Sequence, residues 1–178
     1  MALKKVLTIA GSDTSAGAGM QADLKTFQEL DTYGMVALAA IVTMDKETWS
    51  HDVTPIPFDV FNKQLETAIS IGPDAVKTGM LGTEEVIKRA GEAFEESGAD
   101  YFVVDPVMVC KGEDEVLNPG NTDAMIKYLL PKATATTPNL FEAGQLSGLG
   151  TLKSIEDMKK AAKICLLYTS PSPRDKRK

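Results

Sequence analysis

An α/β fold built on a parallel sheet is what this chain predicts, and three observations carry that expectation. Five short apolar runs recur along the sequence, at 6–10, 36–42, 75–78, 101–104 and 133–136, and runs apolar on both faces are the habit of strands buried inside a parallel sheet. Stretches of helical period lie between them. The resulting β-α-β-α alternation lets helices cover both faces of one sheet.

The first run, Val6 to Ala10, breaks at Gly11, crosses a loop of small and hydroxyl residues, and enters a helix over Met20 to Leu30 with Met20, Leu24, Phe27 and Leu30 near a 3.6 period. Small residues let a ligand approach the backbone, and a strand-loop-helix turn aims free amides at it. Asp23, one turn into that helix, offers a carboxylate to a hydroxyl or ring N–H. The loop has neither the GK[ST] of a P-loop nor the GxGxxG of a dinucleotide turn. The polar segment Met44 to Pro57 reads as an excursion outside the sheet, and Val60 to Ile71 as a helix buried through Phe61, Leu65, Ala68 and Ile69.

The third run ends in Lys77-Thr78-Gly79-Met80-Leu81-Gly82, at the carboxyl edge where open α/β sheets hold ligands. Thr83 before Glu84 and Glu85 predicts a capped helix start with acids in its first turn. Asp105 closes the fourth run, placed either to cap a turn or to carry a charge for function. In Thr137-Pro138-Asn139-Leu140-Phe141-Glu142-Ala143, Pro138 stops a strand, and Asn139 and Glu142 have capping-box spacing. Ser154 to Met158 opens a last helix, after which a further strand should follow. The stretch from Cys165 to Lys178 has two prolines and a basic end instead, which cannot continue a buried sheet. The predicted division is therefore 1–164 as part of one domain and 165–178 as a foreign or disordered tail.

Composition narrows the function classes. At 178 residues, 43% hydrophobic and 25% charged, the chain matches ordinary globular proteins. A net charge of -6 argues against a nucleic-acid surface. No apolar run approaches the ~20 residues of a membrane span, and Met1 to Lys5 lead straight into a strand rather than a signal peptide. The expectation is a cytoplasmic protein. Cys110 and Cys165 are too few for a disulfide framework or zinc site, and His51 is the single histidine.

Four segments, LTIAGSDTSAGAGMQADLK, KTGML, VVDPV and TPNLFEA, stand in an order that resembles the hydroxymethylpyrimidine kinase and pyridoxal kinase group of the ribokinase-like superfamily, over residues 3–162. The resemblance implies an α/β/α three-layer sandwich with a mostly parallel central sheet, incomplete at the C-terminus, that uses ATP and Mg2+ and forms a homodimer when full length. It implies an acceptor side formed by Gly11, Asp23, Val42, Met44, Met80, Val107 and Cys110. Asp105 and Asn139 would serve ATP and its phosphates, and Asp105 and Glu142 the metal through water. The segment Lys111 to Glu115 would be a mobile lid, and the Cys110 thiol would add to an aldehyde.

Hydroxymethylpyrimidine kinases carry a glutamine where this chain has Met44. A thioether offers soft apolar area and no partner for a pyrimidine amino group. Pyridoxal, which lacks that amino group, is therefore the expected small-molecule substrate, unless Met44 is plain core. The rivals are a hydroxymethylpyrimidine or hydroxymethylpyrimidine-phosphate kinase and a non-catalytic ligand-binding fragment. The family's glycine-rich GxGC or GxGD turn, with its terminal catalytic base, does not occur here. The parent activity is thus expected to be phosphorylation of the pyridoxal 5'-hydroxymethyl group, with this chain inactive alone.

Overall fold

The computed structural model describes residues 3–108 and 119–168. Strands β1 (Lys5–Ala10), β2 (Tyr33–Leu38), β5 (Ala75–Thr78), β6 (Tyr101–Val104) and β7 (Ala135–Thr136) form one sheet in the order β2-β1-β5-β6-β7. Every pairing in it is parallel. Strands β3 (Ala40–Met44) and β4 (His51–Pro55) form a separate antiparallel hairpin. The helices are α1 (Gly19–Glu29), α2 (Phe58–Ser70), α3 (Glu84–Ser97), α4 (Pro119–Tyr128), α5 (Leu140–Ser147) and α6 (Ile155–Tyr168).

Burial explains the arrangement. Leu7, Thr8, Ile9 and Ala10 are all fully buried, so β1 is covered on both faces. Leu7 and Ile9 join Phe61 and Leu65 of α2, Ile87 of α3 and Leu129 beyond α4 in one apolar core. Thr8 points the other way, where its hydroxyl donates to Asp23 of α1 at 2.6 Å. A Cβ on Gly34 would come within 2.8 Å of Leu24, so β2 needs a glycine where α1 lies down on it. Helices thus stand on both sides of the sheet.

One expectation changes. The apolar run 36–42 is two strands in two sheets, because the Ala39 amide donates to the Ala10 carbonyl and turns the chain outward. The polar excursion that follows is the hairpin itself, with Trp49 at its tip in a left-handed conformation (φ 60°). Helix α6 spans the expected boundary after Ile164. Helix α6 runs on to Tyr168, since Cys165 is buried and Tyr168 packs against the core. Residues 169–178 lie outside the described residues.

Candidate active site

The loops after β1, β5 and β6 come side by side because the ladder bonds continue past the strand ends. The Gly79 amide donates to Ile9 and the Asp105 amide to Thr78. Gly11, Gly79 and Asp105 therefore share the carboxyl edge of the sheet, the edge at which open α/β sheets hold ligands.

The loop after β1 is a preformed wall. The Asp13 carboxylate accepts from the Ser15 and Ala18 amides, both at 2.8 Å, and from the Ser15 hydroxyl. Burial pushes the Asp13 carboxyl up, but those hydrogen bonds outweigh it and hold it below the ordinary carboxylate range. Gly19 opens α1 at φ 59°, and a Cβ there would lie 2.6 Å from the Gly11 carbonyl oxygen. Only glycine fits this close approach. The same loop is tied to the hairpin: the Ser12 amide donates to Ala40, the Val42 amide to the Ser12 hydroxyl, and the Thr14 hydroxyl to the Val42 carbonyl.

Between these walls is a cavity of about 220 Å³. Gly11, Val42, Met80, Val107 and Asp105 line it. Its surface is mostly apolar, which suits a flat ring with a few polar anchors. Met44 is not on the lining. It sits half-buried two residues beyond Val42 and pairs across the hairpin with His51, which does line the cavity. By strand alternation Met44 shares that face of the hairpin.

Asp23 is not on the lining either. Its Oδ2 accepts from the Thr8 hydroxyl and from Lys77 Nζ at 3.1 Å, and the same Nζ stands 3.6 Å from Asp105 Oδ2. A row of Thr8, Asp23, Lys77 and Asp105 thus crosses from α1 to the end of β6. Burial pushes the Asp105 carboxyl above its ordinary range, Lys77 opposes that shift, and the Asp23 charge adds to it.

Asn139 and Glu142 form the expected capping box at the start of α5: the Asn139 side chain accepts from the Glu142 amide and Glu142 accepts from the Asn139 amide, both at 2.9 Å. Neither residue lines the cavity. Glu142 is only 5% exposed. Burial raises its carboxyl, the Asn139 and Met108 amides oppose that, and the nearby Asp105 charge adds to the rise. Cys110 and the segment Lys111 to Glu115 lie outside the described residues. Among the described residues no three His, Cys, Asp or Glu side chains cluster to hold a metal by themselves.

Sequence reasoning passed over Asp13, Lys77 and His51 as site residues. Asp13 had a local signal, because an aspartate two residues before a serine in a small-residue loop is an Asx-turn former. Lys77 and His51 had none, since both reach the cavity through long-range pairing.

A family model described as phosphomethylpyrimidine kinase matches residues 13–171. A putative pyridoxine kinase of Staphylococcus aureus (strain COL) is 88% identical over 164 residues, 92% of this chain and 59% of that protein. A hydroxymethylpyrimidine/phosphomethylpyrimidine kinase of Bacillus subtilis (strain 168) is 43% identical, over 91% of this chain and 59% of the relative. The fold matches the structure of the pyridoxal kinase from Staphylococcus aureus in complex with AMP-PCP and pyridoxal, with a TM-score of 0.90, 80% identity, and coverage of 96% of this chain and 61% of that one. The chain therefore spans about three fifths of the length of these relatives.

Proposed function

The chain belongs to the phosphomethylpyrimidine kinase family, and from that premise we propose that it is the acceptor-binding part of an ATP-dependent kinase that phosphorylates the 5'-hydroxymethyl group of pyridoxal. The observation that carries this reading is the cavity itself: an apolar slot bounded by Val42, Met80 and Val107, with Asp105 at one side and Met44, rather than an amide, paired across the hairpin with the lining residue His51. The relatives of matching sequence, a putative pyridoxine kinase and a pyridoxal kinase solved with AMP-PCP and pyridoxal, support it.

Each residue has a task in this reading. The Ser12 to Gly19 loop, fixed by Asp13, sets the depth of the ring slot, while Val42 and Met80 close on the ring and exclude water. Asp105 and Glu142 fit Mg2+ as the pair of hard oxygen donors that this ion takes alongside substrate phosphates and water. Burial raises both carboxyls, the Asp23 charge adds to the rise at Asp105 and the Asp105 charge to that at Glu142, so a divalent cation near them is favoured. Glu142 already accepts two backbone amides, which suits a contact through water. The metal, when bound, neutralises charge on the triphosphate. Asn139 holds the start of α5 at that same edge.

The second reading, a hydroxymethylpyrimidine or hydroxymethylpyrimidine-phosphate kinase, is favoured by the family description and the Bacillus subtilis relative. A competition assay separates the two. A chain of the relatives' length carrying these residues should form pyridoxal 5'-phosphate from MgATP with the higher kcat/KM, and the 178-residue chain should show only background turnover. A higher kcat/KM for hydroxymethylpyrimidine replaces the first reading with the second. Robust turnover by the 178-residue chain would show that the catalytic apparatus lies within it.

A further inference from the structure

Lys77 projects from the third strand of the sheet, β5, into the cavity. Its ammonium is seated by three neighbours. Asp23 Oδ2 accepts from it at 3.1 Å, Asp105 Oδ2 stands at 3.6 Å, and Gly79 leaves the space: a Cβ on that glycine would fall 3.2 Å from Nζ and 3.1 Å from the Ala10 methyl. Asp23 is anchored in turn by the Thr8 hydroxyl at 2.6 Å. The lysine side chain is about one-fifth exposed, so its charge acts in partly excluded solvent, where it counts for more than on a surface.

An ammonium has three donors. One is given to Asp23 and a second faces Asp105, which leaves one for a ligand in the cavity that Lys77 lines. Among the described residues, Lys77 is the only lysine or arginine on that lining. A purely structural counter-ion for Asp23 would need neither a cavity face nor a second carboxylate. Phosphotransfer, in contrast, delivers a dianionic group to an oxygen inside this slot. The Asp105 carboxylate on its lining, with Asp23 behind Lys77, would repel that group unless a cation stood between them.

We propose that Lys77 is a catalytic residue of the acceptor site, whose ammonium, braced by Asp23 and Asp105, donates its remaining N–H to the phosphoryl group as it reaches the acceptor oxygen. The inference rests on the kinase reading above. In the step it serves, the bond between the γ-phosphorus and the β,γ-bridging oxygen breaks with its electron pair left on ADP. The acceptor hydroxyl oxygen bonds to phosphorus, and its proton passes to the cysteine or aspartate base of the family's second half. Lys77 makes and breaks no covalent bond. It holds charge at the place where charge arrives, the arrangement that preorganised electrostatic catalysis requires.

The test needs no turnover. Pyridoxine and pyridoxine 5'-phosphate differ by the transferred group alone and carry no aldehyde to react with amines. Equilibrium dialysis with the 178-residue chain gives the ratio of their dissociation constants. Lys77→Met should weaken binding of the phosphate ester by about tenfold relative to the alcohol, the loss expected of one charge-assisted hydrogen bond. The charge-balanced double variant Lys77→Met with Asp23→Asn should show the same change in ratio and guards against a misfolded single variant. In a chain of full family length, Lys77→Met should lower kcat by ~100-fold with the KM for pyridoxal within about threefold. An unchanged ratio in both variants overturns the role of Lys77 and leaves the kinase reading standing. Failure of the wild-type chain to bind either compound overturns the kinase reading of the cavity instead, and the inference with it.

Discussion

Two concavities in this molecule are built from the same materials and do different things. The cavity between the β1, β5 and β6 ends carries Asp13, His51, Lys77 and Asp105 on its lining. The groove along β7, between α5 and α6, is lined by Pro138, Leu140, Met158, Cys165 and their neighbours, with no Asp, Glu, Lys, Arg or His on its surface. Both flank parallel strands. The difference lies in what the strand ends donate: β5 and β6 end in Lys77 and Asp105 beside an open slot, whereas β7 leads into Asn139 and Glu142, whose polar atoms are used on each other's amides. Charge on its lining marks the first place as chemical, whereas the groove presents none on its surface.

The sharpest way to break this contrast is a pair of glycine substitutions. Gly19→Ala places a Cβ against the Gly11 carbonyl at a left-handed residue, so the loop must move. Strain of about 2 kcal/mol or more should appear as a ~30-fold loss of pyridoxal binding in dialysis. Gly148→Ala, at φ 70° with open space around its Cβ position at the end of α5, should lower stability by ~1 kcal/mol in urea melts and leave that binding unchanged. Equal effects on binding would mean that the loop is not a rigid wall.

Asp105→Asn comes next. In a chain of full family length it should reduce kcat by ~10²-fold while the KM for pyridoxal stays within about threefold, because the slot's apolar walls remain. A matching rise in KM would move Asp105 from the phosphate side to the ring. Met44→Gln in the same full-length chain should raise the kcat/KM ratio of hydroxymethylpyrimidine over pyridoxal about tenfold, the worth of one gained hydrogen bond. No change in the ratio places Met44 outside the ring's reach.

The start of α5 yields the smallest effects on stability. Asn139→Ala should cost about 1 kcal/mol of stability through the lost cap. Glu142→Gln sharpens the electrostatics. The native Glu142 carboxyl is raised, first by burial, so as pH climbs from the ordinary carboxylate range to above that raised value the native state holds a proton that the unfolded state has released. Wild-type stability relative to Glu142→Gln should therefore fall across that window. Denaturant midpoints at several pH values check the sign, and a difference that rises with pH would contradict the burial of Glu142.

Features set by residues close in sequence were readable before any coordinates. The capping box at Asn139 and Glu142, the Thr83 cap that accepts from the Val86 amide, and the strand β5 over Ala75 to Thr78 follow from neighbours within a few positions. The split of 36–42 into two strands was not readable, because it depends on an Ala39 to Ala10 hydrogen bond across 29 residues. Helix α4 was missed because its sequence, PGNTDAMIKY, begins with two helix-breaking types and its amphipathic period is weak. Helix α6 crosses the expected boundary at Ile164 and reaches Tyr168. The prolines that suggested it stand at 171 and 173, and a helix can run to Tyr168 before meeting them. Of the residues named from the sequence, Gly11, Val42, Met80, Asp105 and Val107 line the cavity, while Lys77 entered only through the geometry that places it between two carboxylates.

The three hydrogen bonds that join the Ser12 to Gly19 loop to the hairpin have a kinetic meaning. Loop and hairpin cannot part singly, because the Ser12 amide and hydroxyl and the Thr14 hydroxyl all engage Ala40 or Val42. They open together as one cooperative unit. Amide exchange at Ser12 and Val42 should report a single opening free energy, and a ligand that fills the slot should slow both by the same factor. The doorway to the cavity then has one rate, set by how often that seam comes undone.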